Sequence, residues 1–174
     1  MELCYQRMAS PIGELHLITR GEALCVLDFD GYESRMRRLL ERRFGPVEVA
    51  EGTCPIAVRK TVEAYFEGDT VGIEDLATET RGTPFQERVW RALRDIPSGA
   101  TTSYGELAKR IGEPTASRAV GLANGGNPVA LVIPCHRVIG ADGSLTGYGG
   151  GLERKQWLLE HEGALPAQQG ELGL

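Results

Sequence analysis

Apolar and polar positions alternate through the first thirty residues of the chain, and then the period changes. Glu14-Leu15-His16-Leu17-Ile18 alternates in part, and Leu24-Cys25-Val26-Leu27-Asp28-Phe29 is apolar and β-prone. Ser10-Pro11-Ile12-Gly13 and Arg20-Gly21-Glu22 supply turns, so the pattern predicts an antiparallel meander over residues 3–29. From Ser34 the spacing lengthens. Met36, Leu39, Leu40 and Phe44 fall at i, i+3, i+4 and i+8 with arginines between them, which predicts an amphipathic helix ended by Gly45-Pro46. A second helix opens at Pro55, carries Val58, Val62, Tyr65 and Phe66 on one stripe, and closes before Gly68. Val71-Gly72-Ile73 reads as a short strand.

Residues 77–83 are polar and turn-rich, the pattern of a linker. Thr83-Pro84-Phe85-Gln86 then opens a helix with a capping box and a proline at the first helical position. Phe85, Val89, Ala92, Leu93 and Ile96 form its buried face, and Pro97-Ser98-Gly99 stops it. Ser103-Tyr104-Gly105-Glu106 repeats the capping logic, with Tyr104, Leu107, Ala108 and Ile111 on one stripe. After the turn Gly112-Glu113-Pro114, Thr115 caps the next helix, which runs to about Asn124. A helix, a tight glycine-containing turn and a helix predict a helix-turn-helix. The second of these helices is rich in small residues (Ala116, Ser117, Ala119, Gly121, Ala123), which suit close packing as well as close approach to a groove. Residues 129–133 are an apolar run too short to span a membrane and read as a buried segment. Residues 146–151 are too glycine-rich for regular structure, residues 152–161 predict a helix that is apolar nearly all round and therefore buried, and residues 166–174 read as a mobile tail.

Composition leaves room for one large core or two small ones, with 41% hydrophobic residues in a chain of 174. No apolar run reaches membrane length, and the first residues lack the basic and apolar regions of a secretion signal, so a cytoplasmic monomer is expected. Cys4, Cys25, Cys54 and Cys135 are widely spaced with no C-x-x-C pair, as expected of free thiols in a reducing compartment. A net charge of -5 excludes a broadly basic nucleic-acid binder. The first 83 residues hold 10 Lys and Arg against 15 Asp and Glu, whereas residues 84–165 hold 9 against 8. Any DNA-facing surface is therefore local and lies in the C-terminal half. Arg35, Arg37, Arg38, Arg42 and Arg43 read as a solvated helix face, and His16, between leucines, as a satisfied or exposed histidine.

The chemistry concentrates at Ile133-Pro134-Cys135-His136-Arg137-Val138. Thiolate is the nucleophile, and a neighbouring imidazole with a nearby cation is the usual way to raise its share. A Cys-His pair alone fits a buried, inert cysteine equally well. The wider string, from Asn127-Pro128 through Pro134-Cys135-His136-Arg137-Val138 to Gly147-Tyr148-Gly149-Gly150, resembles the O6-alkylguanine-DNA alkyltransferases, also called methylated-DNA–protein-cysteine methyltransferases. The likeness runs over about residues 84 to 163 and more loosely into the N-terminal half.

The resemblance implies an α+β fold. A small N-terminal antiparallel sheet with helices, an α/β roll, would occupy residues 1–80, and a mostly helical, winged helix-turn-helix-like domain residues 84–165. It implies base flipping and irreversible, stoichiometric transfer of an alkyl group from O6-alkylguanine in double-stranded DNA to the protein, with O4-alkylthymine a further candidate substrate. By position, Cys135 matches the alkyl acceptor, His136 the base that deprotonates it through a water, and Glu162 the carboxylate that orients the imidazole. Asn127 matches the asparagine that braces the turn, and Tyr104 the tyrosine beside the flipped nucleotide. Arg118 matches the arginine that enters the base stack, with Thr115, Ser117, Ala119, Ala123 and Asn124 as further DNA contacts. Pro134, Val138, Tyr148 and Gly149 would line the base pocket, while Arg137 and Pro128 would be structural. No cofactor is implied. Some family members hold a structural zinc through two cysteines and two histidines; Cys4, Cys25 and His16 are only three ligands, so no metal is expected. Two other readings stay open: a cysteine hydrolase built on Cys135, His136 and Glu162, and a non-catalytic protein, either a helix-turn-helix regulator or an alkyltransferase-like lesion binder, in which the position of Cys135 is replaced.

Overall fold

The computed structural model describes residues 2–166, so the expected tail lies, from residue 167 on, outside the described residues. Strands β1 (Glu2–Met8), β2 (Leu15–Arg20) and β3 (Ala23–Phe29) form the predicted antiparallel meander, with Cys4 opposite Thr19 and Leu17 opposite Leu27. A fourth strand, β4 (Glu48–Glu51), joins the edge of β1 in parallel, giving the order β3-β2-β1-β4. The pattern does not predict β4 because all four of its residues are exposed, so no buried face imposes alternation.

Helix α1 (Glu33–Phe44) covers one sheet face, where Leu40 and Phe44 join Leu3, Ile18, Cys25 and Val26. Its arginines divide. Arg37, Arg38 and Arg42 are solvated as predicted, but Arg43 turns inward to the carbonyls of Thr80 (2.7 Å) and Cys25 (2.9 Å), and Arg35 turns to Asp28. On the other face, α2 (Ile56–Glu67) buries Val58, Val62 and Tyr65 against Leu15, Leu17, Leu24 and Leu27. The strand expected at 71–73 is instead a 3-10 turn, Gly72–Asp75, because the Asp69 carboxylate accepts the N–H groups of Val71 and Gly72 and bends the chain there.

In the C-terminal half, α3 (Pro84–Arg94) opens with the predicted capping box between Thr83 and Gln86. Its buried face includes Trp90, outside the predicted stripe, whose Nε1–H donates to the Ala123 carbonyl at 2.8 Å. The helix-turn-helix is α4 (Tyr104–Arg110) followed by α5 (Ser117–Gly125). Thr115 does not cap α5: Ala116 is the N-cap and makes no side-chain bond, since the helix starts later than the threonine suggested. Two short strands, β5 (Thr102–Ser103) and β6 (Val138–Ile139), pair in parallel. The last helix, α6 (Leu152–His161), is not buried all round. Lys155, Leu158 and Leu159 face inward, while Leu152 is 49% exposed.

The free edge of β3 joins the halves. Leu24 donates to Ala77 (2.9 Å) and accepts from Glu79 (2.8 Å); Leu27 donates to Pro128 and accepts from Ala130, both at 3.0 Å. Edge groups need partners, and here they hold both the 77–83 segment and the chain leading to Cys135. Residues 77–83 are therefore a docked strap rather than a loose linker, with Thr80 buried and the Glu87 carboxylate accepting from Thr80 and from the Gly82 N–H. A single core cluster runs through both halves, from Leu15 and Tyr65 to Val89, Val132 and Leu158.

The strap is tight where it passes α3. A Cβ on Gly82 would stand 2.3 Å from Cζ3 of Trp90, an overlap that only movement of the indole relieves. Gly82→Ala is expected to lower the unfolding free energy by about 1–3 kcal/mol, measured by urea denaturation. Unchanged stability would mean that Trp90 has room to move.

Candidate active site

Cys135 arrives at the end of a stack of turns rather than a strand. Asn127 braces it from within: its Oδ1 accepts from the Val129 N–H (3.0 Å) and its Nδ2 donates to the Ile133 carbonyl (2.7 Å). Leu131 adopts φ +71°, a left-handed conformation that costs an L-residue roughly 1–2 kcal/mol, held by complete burial of its side chain. The Asn124 amide donates to the Cys135 carbonyl at 3.3 Å, and residues Cys135–Arg137 form a 3-10 turn. Pro128, Pro134 and Val138 are buried around it.

The turn is anchored on Glu162. One carboxylate oxygen accepts from Arg137 Nε at 2.9 Å. The other is shared by His136 Nε2 (2.9 Å), Arg137 Nη2 (3.0 Å) and the Tyr65 hydroxyl (2.7 Å). Both Glu162 and His136 have fully buried side chains. Arg137, equally buried, spends its remaining nitrogen on the Ile96 carbonyl (2.6 Å) and Glu74 (3.1 Å). Burial by itself would raise the Glu162 carboxyl, but His136 and Arg137 together outweigh it and hold the group at about 2. An ionised Glu162 accepts from Nε2–H, which assigns the proton of neutral His136 to Nε2. Nδ1 is then the basic atom, and it is buried with no protein hydrogen-bond partner among the described residues. Burial lowers the His136 pKa against the pull of Glu162, and burial raises the Cys135 thiol against an Asn127 hydrogen bond and the charges of Lys155 and Arg35.

A glycine loop closes over the thiol. Lys155, fully buried, donates to the carbonyls of Val138 (2.6 Å), Thr146 (2.9 Å) and Gly147 (3.1 Å), using all three of its protons. Burial lowers its pKa to about 8. Tyr104 donates to Thr146 at 3.2 Å. Tyr148 packs edge-on to His136 at 6.4 Å and near Phe29 at 6.0 Å. Arg35, paired with the buried Asp28, lies directly over Gly149, where a Cβ would strike its guanidinium. The space left before Cys135, walled by Phe29, Arg35, Asn127, Tyr148 and Gly149, is only about 10 Å³. A concavity of about 760 Å³ lies between α1 and the sheet, away from Cys135, and touches none of these residues but Arg35's own helix.

The helix-turn-helix residues separate into two groups. Thr115, Arg118 and Ala119 are exposed and Ser117 is half-buried, with Arg118 in the first turn of α5. Ala123 and Asn124 are buried and serve Trp90 and the Cys135 carbonyl, so neither belongs to the outer face expected to contact DNA. That face instead carries Leu122, 78% exposed. Tyr65, Lys155 and Arg35 were not legible as site residues: each falls in a regular helical pattern, and its partner lies far away in sequence. Cys4 and Cys25 do not gather with His16. Among the described residues, the one group with metal-ligand character is His16, Asp30 and Glu33.

Two family models cover the chain. The 6-O-methylguanine DNA methyltransferase ribonuclease-like domain matches residues 3–80, and the DNA binding domain of the same family matches residues 84–164. A methylated-DNA–protein-cysteine methyltransferase of Salmonella typhimurium is 45% identical over 95% of this chain and 98% of its own, and one of Mycolicibacterium paratuberculosis is 49% identical over 91% of each. The crystal structure of Mycobacterium tuberculosis OGT in complex with DNA superposes with a TM-score of 0.80 at 43% identity, covering 96% of both chains.

The Glu162 cluster predicts an acid limb of stability. Its pKa lies below the ordinary 4.5, so its contribution is complete above about pH 4.5 and is lost as the pH falls toward 2. Glu162→Gln should flatten the dependence of unfolding free energy on pH in that window, and Tyr65→Phe should cost about 1.5–3 kcal/mol at neutral pH by removing a bond to a charged group. An acid limb that persists in Glu162→Gln would assign it to other carboxylates.

Proposed function

The chain belongs to the 6-O-methylguanine DNA methyltransferase family, and we infer from this that it repairs DNA by taking the alkyl group of O6-alkylguanine directly onto Cys135. The activity is that of a methylated-DNA–protein-cysteine methyltransferase, with DNA as its partner. The observation that carries the residue assignment is the buried Glu162–His136 pair directly following the buried thiol.

At rest the site favours an uncharged thiol beside an uncharged imidazole, since burial disfavours both charged forms. The proton of Cys135 passes to Nδ1 of His136, through a water in the family scheme, and the imidazolium is stabilised by ionised Glu162. Sγ then attacks the alkyl carbon and the bond from that carbon to O6 breaks. Guanine leaves with its electron pair, and the Tyr104 hydroxyl donates toward the developing charge. The product thioether has no good leaving group, so each chain acts once. Asn127 and Arg137 hold the turn, and Pro134, Val138, Tyr148 and Gly149 border the base site.

A purine cannot enter 10 Å³, so the 146–150 loop and Arg35 must draw back when the base is extruded. Thr115, Ser117, Arg118 and Ala119 meet the DNA, with Arg118 filling the stack. Residues 1–80 and 84–165 act as scaffold and reaction domain, in a cytoplasmic monomer; among the described residues no helix is long and apolar enough to cross a membrane. A cysteine hydrolase is disfavoured because the Cys135 N–H, the natural oxyanion donor, is committed to the Ile133 carbonyl at 2.8 Å.

Mass spectrometry after incubation with duplex DNA containing O6-methylguanine should show one methyl group per chain, mapped to Cys135, with no turnover. Cys135→Ala should lose uptake and keep DNA binding. Methylation of this variant at another cysteine at a comparable rate would remove the assignment.

Arg118 distinguishes flipping from phosphate binding. A phosphate contact would survive Arg118→Lys and contribute about one unit of salt slope. A stacked guanidinium would not be replaced by an ammonium. Arg118→Ala should therefore slow repair of duplex DNA strongly and reaction with free O6-alkylguanine little, with Lys restoring activity only in part. Equal losses on both substrates would place Arg118 in the fold.

A further inference from the structure

We propose that His16, Asp30 and Glu33 form a binding site for a divalent cation of the zinc class, where β2 meets the start of α1. His16 is 2% exposed, and its Nε2 makes no hydrogen bond. That nitrogen points between two carboxylates, 3.3 Å from Glu33 and 3.8 Å from Asp30, and the three ligand atoms lie within 4.8 Å of one another. Ligands about 2.1 Å from a tetrahedral ion stand about 3.4 Å apart, so these separations close on one ion with little movement.

The rest of the histidine is arranged as a metal ligand requires. Nδ1 is 2.6 Å from the Tyr5 hydroxyl, and the two rings stack at 5.8 Å. Nδ1–H donating to Tyr5 leaves the Nε2 lone pair free for an ion, the outer-partner arrangement that fixes the tautomer of ligating histidines. The backbone that carries the carboxylates is fixed: Asp30 N–H donates to the Glu14 carbonyl at 2.9 Å, Gly31 turns the chain at φ +92°, and Glu33 is the first residue of α1. One imidazole and two carboxylates suit zinc, cobalt or manganese better than calcium or magnesium, and water would complete the coordination. The ion would tie β2 to the helix that carries Arg35 over Gly149. The site contains no cysteine, and the proposal does not depend on the assignment of Cys135.

The full chain, stripped of metal by a chelator and dialysed, is titrated with Zn²⁺ and with Co²⁺. One ion per chain is expected, with a rise in melting temperature and a cobalt spectrum free of thiolate charge-transfer bands. Asp30→Asn and Glu33→Gln change exposed side chains and leave the fold intact; each should weaken Zn²⁺ binding at least about tenfold, the loss seen even for an outer partner, and abolish the thermal shift. Tyr5→Phe should weaken it less. Absence of binding, thiolate bands in the cobalt spectrum, or affinity unchanged in both carboxylate variants would each overturn the site.

Discussion

An ionised carboxylate with no exposed surface must be given partners, and the Glu162 side chain is such a group. Leaving a buried charge uncompensated costs several kcal/mol, more than most single contacts supply. Its four donor contacts come from Tyr65 on α2 and from His136 and Arg137 on the turn after the buried run, while Glu162 itself follows α6. Arg137 carries the demand onward to Glu74 and to Ile96, just past the end of α3. Removing any one member strands the others. Glu162 is thus the joint at which both halves of the chain meet.

The edge of β3 makes the second tie. Its unsatisfied N–H and C=O groups recruit the 77–83 strap at Leu24 and the 128–130 segment at Leu27. Asn127 and the left-handed Leu131 then fold the short span that brings Cys135 forward. The N-terminal sheet is in this way a reference surface for the nucleophile. Phe29 and Arg35 from that half also wall the space before the thiol. The left-handed Leu131 and the closed cavity belong to the same site.

The loop over the thiol is tied down by side chains. The 146–151 loop lacks regular structure; Lys155 holds the carbonyls of Thr146, Gly147 and the preceding Val138, Tyr104 donates to Thr146, and Arg154 donates to the Gly150 carbonyl at 3.0 Å. Gly149 and Gly150 lie close against Arg35 and Phe29, with no room for a Cβ at either position.

Much of this was legible in the sequence. Periodicity marked the meander, α1, α2, α3 with its capping box, and the helix-turn-helix, because each has a buried face that imposes a regular apolar spacing. The string around Cys135 pointed, through family resemblance, to Cys135, His136 and Glu162, and the structure brings the three together. Other features have no local signature. The exposed β4 had no buried face to show itself, Asp69 converted an apparent strand into a turn, and Ala123 and Asn124 looked like groove residues although they face inward. Tyr65 read as one more apolar stripe residue until its hydroxyl met Glu162, 97 residues away. Lys155, Arg35 and the grouping of His16 with Asp30 and Glu33 follow the same rule. Sequence determined the elements and the reactive groups, because both depend on spacing along the chain. Tertiary structure alone decided which buried charges pair, because pairing depends on distances between segments that the chain order does not encode.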